Sequence, residues 1–150
     1  MNGKGVRLYN VLFPLWMLML FPVTWLIVVP GNFLIDSLVL LIGLKWLKIP
    51  DAKAWYKRHI LPVFGFGMLA DVIGAAYMLG MMLRGLSGMG DEPRMTIPAL
   101  LISAVCIFVF NYFVIFRRAE KLVRLKMALI FAVVTAPYTF LVPSGWLYGF

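Results

Sequence analysis

Five long runs of apolar residues, separated by short polar or basic segments, set the pattern of this sequence. Each run is close to the roughly 20 residues that an α-helix needs to cross the hydrocarbon core of a bilayer. Polar side chains are few inside the runs and gather at their ends. The pattern predicts a bundle of five transmembrane helices, over residues 8–29, 33–49, 60–83, 97–116 and 127–149.

The first two predicted helices are separated by Pro30-Gly31-Asn32. Proline, glycine and asparagine all favour turns, and Asn32 is placed to cap the helix that follows. The first run has two basic residues before it, is longer than a signal-peptide core and lacks a small-residue cleavage pattern. It is therefore predicted to be an uncleaved signal-anchor helix.

The composition supports the membrane assignment. Of the 150 residues, 63% are hydrophobic and only 13% are charged, whereas a soluble domain carries roughly 25% charged residues. Five helices and their loops use nearly the whole length. The sequence therefore predicts an all-α integral membrane protein with a single transmembrane domain over 1–150, and it favours the bacterial cytoplasmic membrane.

The fourteen basic residues predict the orientation. All except Arg84 and Arg94 lie before the first run, from the end of the second run to the start of the third, or after the fourth. Because cytoplasmic loops are enriched in Lys and Arg, the N-terminus is predicted inside and the C-terminus outside. The net charge of +8 belongs to segments beside apolar spans, so anionic lipid, not nucleic acid, is the predicted partner at the cytoplasmic face. The predicted headgroup contacts are Arg117, Arg118, Lys121, Arg124 and Lys126.

Asp71 lies near the middle of the third predicted helix. A charged side chain at this depth costs about 2.5–3.5 kcal/mol on insertion scales, so such residues commonly mark ion pathways. Gly67 and Gly74 share its helix face and allow another helix to approach closely. We interpret Asp71 as a candidate ion-binding residue. The alternative is a structural aspartate that hydrogen-bonds to a neighbouring helix.

Asp36 is the second candidate, and it follows Asn32 by four residues. The structural alternative is a carboxylate stabilised by the N-terminal dipole of the second predicted helix. The functional interpretation makes Asp36 the outer member of a pathway that leads to Asp71. With a rise of ~1.5 Å per residue, the two lie about 10 Å apart in depth. That offset argues against an intramembrane aspartyl protease, whose two carboxyl groups lie about 3 Å apart.

Two further polar residues are weaker candidates for substrate or ion binding. Asn111 shares a face of the fourth predicted helix with Ser103, and its alternative role is to join two helices. Thr135 lies beside Pro137 in the fifth predicted helix. A proline frees a backbone carbonyl that can coordinate a cation, or it simply bends the helix.

No set of catalytic or metal-binding residues is recognisable. His59 is the only histidine and Cys106 the only cysteine, so one chain cannot supply a two-histidine or multi-cysteine site. The sequence predicts no metal and no cofactor, and it favours a role other than catalysis.

Two functions remain open. The first is a small multi-pass transporter or channel for protons, a cation or a small cationic solute. The second is a non-catalytic membrane subunit, chaperone or immunity-type protein that packs against a larger membrane partner. Five short helices enclose little volume, so a homo-oligomer or a complex with a larger partner is predicted in either case.

Overall fold

The computed structural model describes residues 21–85 and 93–142, and these residues contain helices and no strand. Four of the helical segments are long and apolar enough to cross a membrane, so the chain is a helical integral membrane protein. The helices are α1 (Pro22–Trp46), α2 (Ala52–Leu83), α3 (Pro93–Val109, continued by a π-helix over Phe110–Ile115) and α4 (Lys121–Val134, followed by a 3-10 helix over Tyr138–Leu141).

The first helix corrects the sequence prediction. The turn predicted at Pro30-Gly31-Asn32 is wrong, because α1 continues through these residues as one helix. A turn at this depth would leave backbone groups without water to bond them, which hydrocarbon does not tolerate. Residues 8–20 of the first predicted span lie outside the described residues. The predicted total of five helices is therefore not confirmed.

The other boundaries shift by one or two turns. Helix α2 begins at Ala52, so the basic and aromatic residues before position 60 form its first turns. Helix α4 begins at Lys121 and takes in residues predicted to be a loop. Long basic side chains reach the membrane surface from the first turns of a spanning helix, so they do not exclude helical structure. The last predicted span runs beyond residue 142, and its remainder lies outside the described residues.

The described helices form an antiparallel bundle in which α1 packs against α2 and α4, and α3 also packs against α2 and α4. The α1–α2 turn and the α3–α4 turn lie at the same end, where the rings of Trp55 and His59 lie 6.4 and 5.3 Å from that of Phe116. We call this the basic end. It carries Lys45, Lys48, Lys53, Lys57, Arg58, Arg117, Arg118 and Lys121.

An apolar core fills the bundle between the basic end and the two aspartates. Leu40 and Leu44 of α1 meet Val63 of α2 and Met127 and Phe131 of α4, all nearly inaccessible to solvent. The outward faces of the helices expose large apolar side chains, as expected for surfaces in contact with lipid. The core closes the bundle on one side of the aspartates.

Gly74 sets the distance between α2 and α3. A Cβ atom built at this position would lie 3.2 Å from the Ala99 carbonyl oxygen and against the Ser103 hydroxyl. Ser103 Oγ in turn donates a 3.0 Å hydrogen bond to the Ala70 carbonyl of α2. The stripe of small residues on α2 that contains Gly67 and Gly74 thus contacts helices of the same chain.

Candidate functional site

Asp36 and Asp71 face each other from α1 and α2, near the middle of the bundle. Asp36 is 6% exposed and Asp71 is 5% exposed. Asp36 comes fourteen residues after Pro22, the first residue of α1, which is about 21 Å along the helix. The interpretation of Asp36 as a carboxylate near a helix N-terminus therefore does not hold.

The contacts of the two aspartates are staggered by one helical turn. Asn32 Nδ2 donates to Asp71 Oδ2 at 3.3 Å and lies 3.2 Å from Met68 Sδ. One turn further along α1, Asp36 Oδ2 lies 3.4 Å from the position that a Cβ atom would take at Gly67. Four residues correspond to about 6 Å. The aspartates are therefore closer in depth than the predicted 10 Å.

Asp71 keeps one carboxyl oxygen free. Its Oδ1 is buried and has no hydrogen-bond partner among the described residues. Among the described residues, Asp36 is the only charged group that interacts electrostatically with Asp71. The two carboxyl groups repel each other when both are ionised. Asp71 accepts a hydrogen bond from Asn32 instead of sharing a proton with Asp36. The arrangement thus differs from a paired-aspartate protease site.

Both aspartates line a cavity of about 380 Å³, which we call the aspartate cavity. Three segments form it: the first half of α1, the Gly67–Asp71 turn of α2, and the end of α4. It extends from Asp36 away from the basic end, toward Thr24 and Thr139. Apolar side chains make up most of the remaining wall. The size and the few convergent polar groups are typical of small-ligand sites.

The end of α4 supplies polar backbone to this cavity. Pro137 has no N–H to donate, and the Tyr138 N–H donates to the Ala136 carbonyl instead of to the Val134 carbonyl that helical geometry would select. The Tyr138 hydroxyl donates to the Val133 carbonyl. Thr135 Oγ1 donates to the Phe131 carbonyl at 2.7 Å and keeps its lone pairs. The proline therefore ends the helix at the cavity.

The structure brings together three of the four predicted binding residues, Asp36, Asp71 and Thr135. Asn111 lies elsewhere, in the π-helix, where its Nδ2 donates 2.8 Å to the Ile107 carbonyl of its own helix. Sequence reasoning missed Asn32, which it assigned to a turn. Its spacing of four residues from Asp36 was the available signal, because residues i and i+4 share a helix face.

The predicted headgroup residues differ in their surroundings. Arg117, Arg118, Lys121 and Lys126 are exposed. Arg124 is partly buried, donates to the Tyr112 hydroxyl at 3.2 Å and to the Arg117 carbonyl at 3.4 Å, and stacks over the Tyr112 ring at 4.3 Å. Arg124 thus joins α4 to the end of α3.

The chemistry of the aspartate cavity suits a proton or a cation of low charge. Its lining has two carboxyl groups, the amide of Asn32, the hydroxyl-bearing residues Thr24, Thr135, Tyr138 and Thr139, and the backbone around Pro137. Among the described residues, no cluster of three or more His, Cys, Asp or Glu could hold a metal ion. Transition metals favour imidazole and thiolate ligands, neither of which lines this cavity.

Comparison of the chain with protein-family models, with curated proteins and with solved structures found no match.

Proposed function

We propose that this protein binds protons or a small cation between Asp36 and Asp71 and moves it across the membrane. The observation that carries the proposal is that two buried aspartates, Asp36 and Asp71, line a common cavity, and that Oδ1 of Asp71 has no hydrogen-bond partner among the described residues. An ionised carboxylate at this depth is costly unless a positive charge accompanies it. A bound proton or cation removes that cost and gives the two aspartates a common role.

The broken end of α4 supports the same function. Interrupted helices in transporters present unpaired carbonyl groups and helix ends to ions near the centre of the membrane. Here the interruption at Pro137 lies in the cavity wall, together with Thr135. A cation in the cavity would therefore meet carboxylates from α1 and α2 and backbone oxygens from α4.

The apolar core separates the aspartate cavity from one end of the bundle. Leu40, Leu44 and Phe131 fill the bundle between the aspartates and the basic end. A cation in the cavity is thus separated from the basic end and lies nearer the opposite one. We infer a transporter that exposes the site to one side at a time, in preference to a continuously open channel.

Flux into liposomes that contain the purified protein tests this function. Proton entry is followed with an internal pH-sensitive dye, and separate assays use sodium, potassium and methylammonium. Asp71→Asn preserves shape and hydrogen bonding but removes the titratable charge, so we expect flux to fall about tenfold or more, a change of about 1.4 kcal/mol in the barrier. Asp36→Asn should have a smaller effect in the same direction.

The matched control is Asp51→Asn, which removes a carboxylate from the exposed turn at the basic end. Asp51 has a left-handed backbone conformation, which asparagine also tolerates. Its flux should equal that of the unmodified protein. Equal flux in Asp71→Asn and Asp51→Asn, with both folded, would contradict the proposal.

A non-catalytic membrane subunit is the second candidate. The closed apolar core favours it, because a protein that only packs against a partner needs no passage past Leu40 and Leu44. In that case the aspartate cavity receives a basic side chain of the partner. Absence of flux for every cation, combined with co-purification of one membrane partner that Asp71→Asn releases, would favour this function.

We propose that the basic end faces the cytoplasm and that the membrane is the bacterial cytoplasmic membrane. The positive-inside bias supports this orientation, since Arg84 and Arg94 are the only basic residues at the opposite end of the described bundle. In a Cys106→Ser background, a cysteine at Arg84 should react with an impermeant thiol reagent from outside intact cells. A cysteine at Lys57 should react only after the cells are opened. The reverse result would invert the orientation.

Association with a second copy or a larger partner also stays a proposal. Gly67 and Gly74, which allow another helix to approach closely, contact α1 and α3 of the same chain. The remaining support is the small volume that the described helices enclose. Crosslinking in native membranes would show whether the chain is alone.

A further inference from the structure

A second cavity, of about 390 Å³, lies at the basic end between α2 and the turn that follows the π-helix. Three arginines line it, Arg58 from α2 and Arg117 and Arg118 from the α3–α4 turn, and no carboxylate of the described residues does. All three side chains are exposed. We call this cavity the arginine pocket. It shares no residue with the aspartate cavity, and the following inference does not depend on the transport proposal.

We propose that the arginine pocket binds one anionic phospholipid. The lipid phosphate lies among Arg58, Arg117 and Arg118, and an acyl chain follows the apolar wall toward the centre of the membrane. The guanidinium group suits this role because its planar array of donors matches the oxygens of a phosphate.

The pocket changes from charged to apolar along the direction that a phospholipid occupies. Arg58, Pro62 and Phe66 all line it, and their spacing of four residues places them along one face of α2, with each step about 6 Å deeper. Val114 continues the apolar wall from the side of α3. A soluble phosphate compound would use only the charged half. The amphipathic wall therefore favours a lipid.

An aromatic stack holds the pocket wall in place. The rings of Trp55 and His59 stack at 4.6 Å, and that of Phe116 lies 5.3 Å from His59. His59 Nδ1 lies 2.8 Å from the Trp55 carbonyl. Because a carbonyl only accepts, Nδ1 carries the proton in this bond and Nε2 is the remaining polar atom of the ring. A fixed wall reduces the ordering that lipid binding requires.

Pro62 adds a hydrogen-bond acceptor near the arginines. It lies inside α2, and a proline there deprives the carbonyl four residues earlier of its helical donor. That carbonyl belongs to Arg58. The pocket thus combines guanidinium donors for a phosphate with an acceptor for a headgroup hydroxyl. Glycerol-type anionic headgroups, as in phosphatidylglycerol, carry both features.

Quenching of the Trp55 fluorescence by brominated lipids tests the proposal. The protein is reconstituted in phosphatidylcholine bilayers that contain a small fraction of dibrominated phosphatidylglycerol or dibrominated phosphatidylcholine. The Trp55 signal is the difference between the protein and its Trp55→Phe variant, which separates it from the other four tryptophans. We expect dibrominated phosphatidylglycerol to reach half of its maximal quenching at a mole fraction at least tenfold lower than dibrominated phosphatidylcholine does.

The variants locate the effect. A guanidinium group in direct contact with the lipid phosphate makes charge-assisted hydrogen bonds, so each of Arg58→Gln, Arg117→Gln and Arg118→Gln should weaken the preference about fivefold. The triple variant should abolish it. The matched control, Lys53→Gln with Lys121→Gln and Lys126→Gln, removes equal charge from exposed positions outside the pocket and should keep the preference.

Three results would overturn the proposal. Equal quenching by the two lipids in the unmodified protein excludes a specific anionic lipid. This measurement does not depend on whether the arginine variants fold. Equal losses in the two triple variants reduce the effect to general surface charge. Relief of quenching by inorganic phosphate, at ionic strength matched with chloride, assigns the pocket to a soluble phosphate compound.

Discussion

Gly67 and Gly74 lie on the same stripe of small residues of α2, yet they have different surroundings. At Gly74 the Ala99 backbone and the side chains of Ser103 and Phe140 fill the space that a side chain would take. At Gly67 the only atom of the described residues near that space is a carboxyl oxygen of Asp36, at 3.4 Å, and the aspartate cavity begins there. One glycine allows two helices to touch. The other leaves room for a ligand.

The difference shows that a small residue in a membrane helix has two possible uses. Close approach of two backbones gains van der Waals contacts, which drive helix association in lipid. An unfilled space beside a carboxylate gains nothing from packing, so it persists only where something binds or where its cost is tolerated. Sequence spacing alone does not distinguish Gly67 from Gly74, because it does not reveal which helix lies opposite.

The largest expected effect on stability belongs to Gly74→Ala. Its Cβ would lie 2.8 Å from the Phe140 ring and 3.2 Å from the Ala99 carbonyl oxygen, besides contacting Ser103 Oγ. Overpacking of this kind costs about 1–3 kcal/mol. We expect a lower midpoint when the protein is unfolded by sodium dodecyl sulfate in mixed micelles.

The matched control for Gly74→Ala is Gly65→Ala, where a Cβ meets nothing within 4 Å. Alanine favours helix over glycine by up to about 1 kcal/mol, so this midpoint should stay the same or rise. A Gly74→Ala protein as stable as Gly65→Ala would show that α2 and α3 are not in close contact.

A smaller effect on stability is expected for Gly67→Ala. Its Cβ would make an ordinary contact with Asp36 Oδ2 at 3.4 Å, so the free energy of unfolding should change by less than about 1 kcal/mol. The methyl group also narrows the aspartate cavity, and flux should fall more than stability does. Unfolding and liposome flux measured on the same preparation check this. A loss of stability as large as that of Gly74→Ala would mean that no space exists beside Gly67.

The membrane fold was largely predictable because lipid imposes a simple requirement. Apolar runs near 20 residues long mark spans whatever their neighbours are, and four described helices fit that rule. The prediction of a turn at Pro30 was wrong for a related reason. Turn propensities describe chains in water, whereas in hydrocarbon an interrupted helix lacks partners for its backbone groups. The same proline chemistry ends α4 at Pro137, where hydroxyl groups of Thr135 and Tyr138 bond the carbonyls instead.

The site was predictable only in part. The cost of a buried charge identified Asp36 and Asp71 without any knowledge of helix packing. Asn111 was selected as a polar residue on the same helix face as Ser103, but its amide bonds to its own helix at Ile107. Asn32, whose amide bonds to Asp71, was passed over. Both asparagines look alike in sequence. Only the neighbour across the helix interface separates them.

Under the proposed transport function, the apolar core between Asp36 and the basic end would limit the rate of proton movement. From Asp36 to Leu44 is eight residues of α1, about 12 Å, and the core side chains there are nearly inaccessible to solvent. Protons cross such a gap along hydrogen-bonded water, and about four molecules in single file would cover it at the usual oxygen spacing of about 2.8 Å. Under the proposed transport function, the rate would be set by how often water enters this segment, and the volumes of Leu40 and Phe131 would govern that frequency.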